Sequence, residues 1–422
     1  MKIETDAPPS LPADLLQAGS SAAGHIALVV GAGCSLEMPT GLKLAATYSL
    51  DIHRRLVEDG LLEEGDCPSP EDLSALTSTV WEKLGSQTPV VSRLPRNHLR
   101  LAQPNAGYLL AAALLRERVI GAVLTLNFDL AMSTALGQLS GTDIGIVPGP
   151  SAVDQVGSAV VVYLHRNVDE PDDNKWILRL EALQDEWRDG WEAVVAQRVM
   201  SAPKVVFAGL GSPAAVLTET VGRIRVAIPE AHAAYVVDPA SETAFKDALD
   251  LPDEAHIQLG WCSFMECLAK RFAAELRHNL GEECRALCVA NGWSDERDFV
   301  ADLCERLHDI GVVSLGRLRA SWFMDTDLYV PDDARRRQLA DLVLGVGLVE
   351  RHYGATAEFV ENGTVRMYRE GKILGSFIAA SGQGTLRWSA LEARVLERIG
   401  TLRGADRVLS ALISGRFWVL SG

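Results

Sequence analysis

The chain has 422 residues, 48% hydrophobic and 23% charged, with 40 Lys plus Arg against 56 Asp plus Glu. That length leads us to expect two or three domains, and the composition excludes a disordered chain, a collagen and a small disulfide scaffold. A net charge of −16 argues against a protein that coats nucleic acid by bulk charge, because phosphate binding needs a basic surface.

Residues 1–24 read as an N-terminal lead-in with three prolines. No basic start precedes an apolar run there, so no signal peptide is read. His25–Val30 is a short apolar run stopped by glycine, the pattern of a buried parallel strand feeding a turn. The pattern recurs at Val119–Leu126, ended by Asn127-Phe128-Asp129, and at Ser158–Leu164, ended by His165. It returns at Lys204–Gly209, ended by Leu210-Gly211-Ser212, at Ala233–Asp238, and more weakly at His256–Trp261. Helical patterns over Ala106–Arg116, Leu183–Met200 and Ala214–Val226 alternate with these runs. The alternation predicts an α/β domain over residues 25–278, a Rossmann-like parallel sheet with helices on both faces. Ligands of such sheets bind at the carboxyl ends of the strands, where all these polar and glycine residues fall. Residues 51–104 break the alternation with Pro68, Pro70, Pro89, Pro95 and Pro104, and read as an insertion or cap over the sheet edge.

The pattern changes near residue 279. Ser294-Asp295-Glu296 is a helix start for a run ending at Gly311, and Leu315–Trp322 and Asp332–Gly345 are further helical patterns. Asn362-Gly363 between alternating runs signals a hairpin, Lys372–Ile378 adds a third strand, and Ser389–Thr401 a helix. Residues 279–422 therefore read as a C-terminal α+β domain, with 18 basic and 20 acidic residues. The seven cysteines form no C-x-x-C pair and accompany no His cluster at zinc spacing. They read as reduced thiols of a cytoplasmic protein, with no metal expected. The longest apolar stretch, Leu109–Leu126, is broken by Arg116, Glu117 and Arg118 and cannot span a bilayer.

Four constellations carry chemistry. Gly31-Ala32-Gly33-Cys34-Ser35 follows the first strand, and glycines there let a backbone approach a pyrophosphate. Leu36 stands where a Rossmann motif wants glycine and no Gly-Lys-Ser/Thr follows, so alone the loop is equally a tight strand-to-helix turn. Asn127 and Asp129 suit a ribose hydroxyl or a water, or an Asx-turn closing the strand. His165 at a strand end can act as a base near neutral pH, though a lone histidine is more often structural. Gly209-Leu210-Gly211-Ser212 is a second glycine turn, open to another part of a nucleotide or a plain turn.

Taken in order, the four resemble the sirtuin-like family, in which a GAG-x-S loop is followed by T-x-N-x-D, Leu-His and a Gly-x-Gly/Ser turn. The resemblance covers about residues 25–275 and extends to Met38-Pro39-Thr40-Gly41-Leu42. It also takes in Pro104-Asn105-Ala106-Gly107-Tyr108, where Tyr108 stands in place of a frequent His. The two C-x-x-C pairs of the zinc ribbon and the G-I-P-D-F-R-like segment of the deacylases are missing, and Arg166 replaces the usual Gly after His165. The zinc-free pattern resembles the bacterial members that hydrolyse NAD, many of them antiviral defence effectors.

The resemblance implies that Gly31, Ala32, Gly33 and Ser35 lie on the NAD phosphates. Asn127 and Asp129 would hold the nicotinamide ribose and an attacking water, and His165 would be the base. Gly209, Gly211 and Ser212 would contact the pyrophosphate or a ribose, and Asp238, from its place at the next strand end, would accept from the adenosine ribose. It implies NAD as substrate without a metal, release of nicotinamide and ADP-ribose, and gating of that activity in a homo-oligomer. The C-terminal domain would regulate or assemble, with a partner such as a helicase-type ATPase. Helices followed by a hairpin also suit a winged-helix nucleic-acid domain, and Arg335-Arg336-Arg337 is a local basic patch. A solvated helix face explains three arginines equally well, so protein docking is the preferred reading. The alternatives are a catalytically silent NAD or ADP-ribose-binding module that assembles with a partner ATPase, and a deacylase, which the absent zinc cysteines disfavour.

Overall fold

The computed structural model describes residues 11–20, 24–139, 144–156, 159–183, 190–211, 215–229, 232–290 and 311–316, with 340, 343–344, 347, 350, 356–359, 364–378 and 384–386 beyond them. The chain divides into two compact units, residues 1–137 with 144–269, and residues 138–143 with 270–422. The division falls within the helix Trp261–Ala290.

The first unit is built on a seven-stranded parallel sheet: β1 (Ile26–Val30), β2 (Ile120–Thr125), β3 (Gly145–Val147), β4 (Val160–Tyr163), β5 (Lys204–Ala208), β6 (Ala233–Val237) and β7 (His256–Ile257), in the order β3-β4-β2-β1-β5-β6-β7. All its neighbouring pairs are parallel. The central strands read as unbroken apolar runs because both faces are covered. All five residues of β1 are fully buried, and each such Val, Leu or Ile contributes about 1.5–3 kcal/mol.

The order of the strands sets the place of the site. From β1 the chain passes to β2 on one side, skips one place to β3 at that edge and comes back to β4 between them; it then crosses to β5 on the other side of β1 and continues outward to β6 and β7. The connections that follow β1 and β5 therefore lead to opposite ends of the sheet, and the carboxyl edge at these two strands is the topological switch point where open α/β sheets take ligands.

The sequence-based strands are all present, with β3 added; at three residues, only one of them buried, it gives no periodic signal. The helix over Ala106–Arg116 has those bounds. Trp191–Met200 and Ala215–Ala227 are helical, while residues 184–189 and 212–214 lie outside the described residues. The segment read as an insertion folds as short helices: Ala45–Glu58, Leu73–Leu84, Thr88–Val91 and Arg96–Arg100.

In the second unit β8 (Thr356–Phe359), β9 (Thr364–Arg369), β10 (Lys372–Ile378) and β11 (Gly384–Leu386) form an antiparallel sheet in the order β11-β10-β9-β8. Thr356 pairs with Tyr368 and Phe359 with Val365, the register of a hairpin. The turn expected at Asn362-Gly363, the helix expected up to Gly311, the arginines at 335–337 and the helix expected over Ser389–Thr401 lie outside the described residues.

Candidate functional site

Five sequence segments reach the carboxyl edge from five neighbouring strands. Across the sheet they are His165 after β4, Asn127 and Asp129 after β2, Gly31–Ser35 after β1, Gly209–Gly211 after β5 and Asp238 after β6. Neighbouring strands lie about 4.7–4.9 Å apart, so segments remote in sequence become lateral neighbours. Ser212 lies outside the described residues.

The two glycine turns interlock. Gly31 N–H donates to the Ala208 carbonyl at 2.9 Å and Gly33 N–H to the Gly209 carbonyl at 2.9 Å. A Cβ on Gly33 would stand 2.7 Å from the Gly209 Cα, and one on Gly31 would stand 2.6 Å from the Gly209 oxygen. Gly209 has φ +66°, and its Cβ would meet the Cys34 nitrogen at 2.4 Å. The glycines at 31, 33 and 209 are thus required by backbone-to-backbone approach, and the N–H groups of Gly31 and Gly33 are already engaged. Gly211 differs: it is exposed, and a Cβ there meets nothing within 4 Å. Residues Ala32–Ser35 form a single 3-10 turn, with Ala32 and Gly33 half-buried and Cys34 and Ser35 buried. Burial pushes the Cys34 thiol well above the ordinary range, so it stays protonated.

Asn127, Ser35, Tyr108 and Asp129 form one buried polar cluster. Asn127 Nδ2 donates to the Gly31 carbonyl at 3.0 Å, the Tyr108 hydroxyl at 3.1 Å and Ser35 Oγ at 3.3 Å. Tyr108 and Ser35 hydroxyls are 2.8 Å apart, and Ser35 Oγ donates to Asp129 Oδ2 at 2.9 Å. Asp129 Oδ1 accepts the Ala131 N–H at 2.9 Å, at the start of the helix Ala131–Gln138. Both Asp129 oxygens are therefore engaged by the protein. Its burial raises the carboxyl pKa against the opposing bonds from Ala131 and Ser35.

Tyr108, which the sequence marks only by departing from the family pattern, stands at the centre of this cluster. It is placed by Asn105, which caps the helix Ala106–Arg116 by accepting the Tyr108 N–H at 3.2 Å. The same side chain donates to the Cys34 carbonyl at 2.8 Å, tying the helix to the first glycine turn. An Asn just before an apolar helical run is a legible N-cap signal, and it could have flagged this segment. Trp261 packs against the Tyr108 ring edge-on, centroids 5.8 Å apart.

His165 lies beside β2. Leu164 N–H donates to the Thr125 carbonyl at 3.0 Å, and the His165 side chain bonds the Leu126 backbone. Its ring is 6.1 Å from that of Phe128, which stacks on Trp176 at 4.9 Å. Nε2 is sealed from solvent. Burial, aided by the Arg166 charge, lowers its pKa to about 4, so the ring is neutral at pH 7.

Arg166 follows His165 in the chain. Its φ is +71°, the left-handed backbone that glycine adopts freely. The side chain is buried, paired with Glu192 at 3.1 Å and lying 5.2 Å over the Trp191 ring. Asp238 is half-buried at the end of β6; its Oδ1 accepts the Ala240 N–H at 2.8 Å in a local turn.

No family model and no curated protein matches the chain. Among solved structures, a sirtuin studied for substrate affinity is 18% identical, covering 60% of this chain and 93% of its own, with a TM-score of 0.32. A Sir2 homologue–NAD complex is 16% identical over 63% of this chain and 96% of that one, TM-score 0.35. A Sir2 homologue mutant complexed with 2′-O-acetyl ADP ribose is 16% identical over 61% and 95%, TM-score 0.37. Identity and score are both low, and the fold assignment rests on this chain's own strand order. No described helix is long and apolar enough to cross a membrane.

Proposed function

We propose that the chain is an NAD glycohydrolase that cleaves the nicotinamide–ribose bond to give nicotinamide and ADP-ribose. The observation that carries the reading is the gathering of Gly31–Ser35, Asn127–Asp129, His165 and Gly209–Gly211 on neighbouring strand ends around the reversal of strand order. Their order along the chain, which resembles that of the sirtuin-like family, supports the choice of dinucleotide.

Loss of neutral nicotinamide leaves developing positive charge on the ribose, so the chain must orient a nucleophilic water and take up its proton. Asn127 offers an acceptor that does not ionise, and neutral His165 can take the proton. Asp129 works behind Ser35, its carboxylate contributing negative charge from within a poorly solvated site. The deep Gly31–Gly33–Gly209 contact keeps the two turns together where the pyrophosphate would pass. In this reading the activity is gated, the protein acts in the cytoplasm as an oligomeric effector of antiviral defence, and residues 279–422 supply regulation or docking.

Nicotinamide release from NAD by the full-length chain, alone and with candidate partners, tests the reading. We expect Asn127→Ala and His165→Ala each to lower turnover by at least about 100-fold. NAD binding without turnover under any condition would instead establish the silent module, and turnover dependent on an acylated peptide would establish a deacylase.

A further inference from the structure

The buried cluster has a direction, and it follows from counting protons. Asn127 Nδ2 carries two hydrogens; one serves the Gly31 carbonyl, and the other points at the Tyr108 hydroxyl at 3.1 Å, with Ser35 Oγ slightly farther at 3.3 Å. The Tyr108 oxygen therefore accepts, and its single proton is directed at Ser35 Oγ, 2.8 Å away. Ser35 in turn spends its proton on Asp129 Oδ2. The relay runs Asn127 to Tyr108 to Ser35 to Asp129 and ends on a carboxylate that also accepts the Ala131 N–H. Each hydroxyl both accepts and donates. Reversing the Asn127 amide would set its oxygen against the Gly31 carbonyl, two acceptors facing each other, and would leave the Tyr108 hydroxyl without its donor.

With Nδ2 committed inward, Asn127 Oδ1 has no partner among the described residues and is not among their sealed polar atoms. We propose that Tyr108 is a positioning residue: its hydroxyl fixes the polarity of the Asn127 carboxamide, so that the site presents an acceptor for an O–H group, a ribose hydroxyl or the attacking water. The catalytic use of that acceptor rests on the glycohydrolase reading; the fixing of the amide does not. The ring is held for this task by its burial, by the Asn105 cap and by Trp261, whose indole leaves no room for a side chain at Gly107, where a Cβ would fall 2.2 Å from its Nε1.

Tyr108→Phe keeps the ring and its contact with Trp261 and removes only the hydroxyl. In the full-length protein we expect kcat for nicotinamide release to fall about 10–100-fold with KM within about threefold of the parent. In protein labelled with [15N]asparagine, the Asn127 side-chain amide protons should exchange with solvent about tenfold faster. Ser35→Ala breaks the same relay one step further on and should move both readouts in the same direction, so a Tyr108→Phe chain that fails to fold does not end the test. Unchanged kcat and unchanged amide exchange in folded Tyr108→Phe, even with a lower melting temperature, would overturn the proposal and leave Tyr108 a packing residue. If the parent chain releases no nicotinamide, the glycohydrolase reading falls, and the amide exchange still decides whether Tyr108 fixes Asn127.

Discussion

Glycine at 209 and glycine at 211 belong to one turn and do different things. At 209 an alanine would need the left-handed backbone, at about 1–2 kcal/mol, and its methyl would overlap the Cys34 nitrogen, overpacking worth about 1–3 kcal/mol more. At 211 nothing stands in the way of a methyl. Urea unfolding should therefore show Gly209→Ala losing about 2–5 kcal/mol and Gly211→Ala changing stability by less than about 0.5 kcal/mol. Arg166 is the opposite solution to a left-handed position: the strain is kept, and the Glu192 carboxylate and Trp191 ring hold the side chain in place. Removing Glu192 would strand a buried guanidinium. Glu192→Ala should cost about 3–5 kcal/mol in the same measurement, and a loss under about 1 kcal/mol would mean that the pair contributes nothing beyond its surroundings. The sequence places Gly209 in a turn but does not show that its conformation is fixed by a loop 175 residues earlier, which is a contact across β1 and β5.

Elements position the cluster through their ends. Asn105 satisfies the first turn of its helix and also reaches the Cys34 and Glu37 carbonyls. A cap alone is worth about 0.5–2 kcal/mol; the buried Cys34 carbonyl left without this donor adds about 1–3 kcal/mol. Asn105→Ala should thus lower stability by about 1.5–5 kcal/mol, more than a solvent-exposed cap such as Asp72, whose side chain accepts from the Ser74 and Ala75 N–H groups. Equal losses at 105 and 72 in urea titrations would reduce Asn105 to a simple cap. The strands were legible as unbroken apolar, β-branched runs stopped by glycine or polar residues, and the helix Ala106–Arg116 as a helical pattern between two of them. Tyr108 was not legible as part of the site, since a buried aromatic in a helix has the same sequence signature whether its hydroxyl bonds a catalytic candidate or merely finds a partner.

At the scale of the whole molecule, burial of His165 couples stability to pH. Its pKa falls from 6.5 to about 4 on folding, so between those values the unfolded chain binds more protons than the folded one. The folded state is favoured fully above pH 6.5 and loses up to about 3 kcal/mol as pH falls from 6.5 to 4. Asp129, with its raised pKa, works in the other sense, losing stability as pH rises above the ordinary carboxylate value. His165→Gln should flatten the acid-side decline: between pH 7.5 and 4.5 the variant should lose about 2–3 kcal/mol less than the parent. Parallel declines would show that the imidazole is solvated in the folded protein.

The amino-acid sequence by itself determined the class of the first unit, because strands buried on both faces are apolar throughout and helices between them repeat every 3.6 residues. It also determined that polar and glycine residues interrupt those strands at their carboxyl ends. Strand order was decided only by tertiary structure, since pairing between β1 and β5 depends on contacts spanning almost 180 residues and leaves no local trace. The same packing decided that the glycine turns lock together, that Arg166 is neutralised by Glu192, and that four polar side chains share one set of protons. Each of those outcomes depends on which buried groups lack water, and that is a property of the assembled interior.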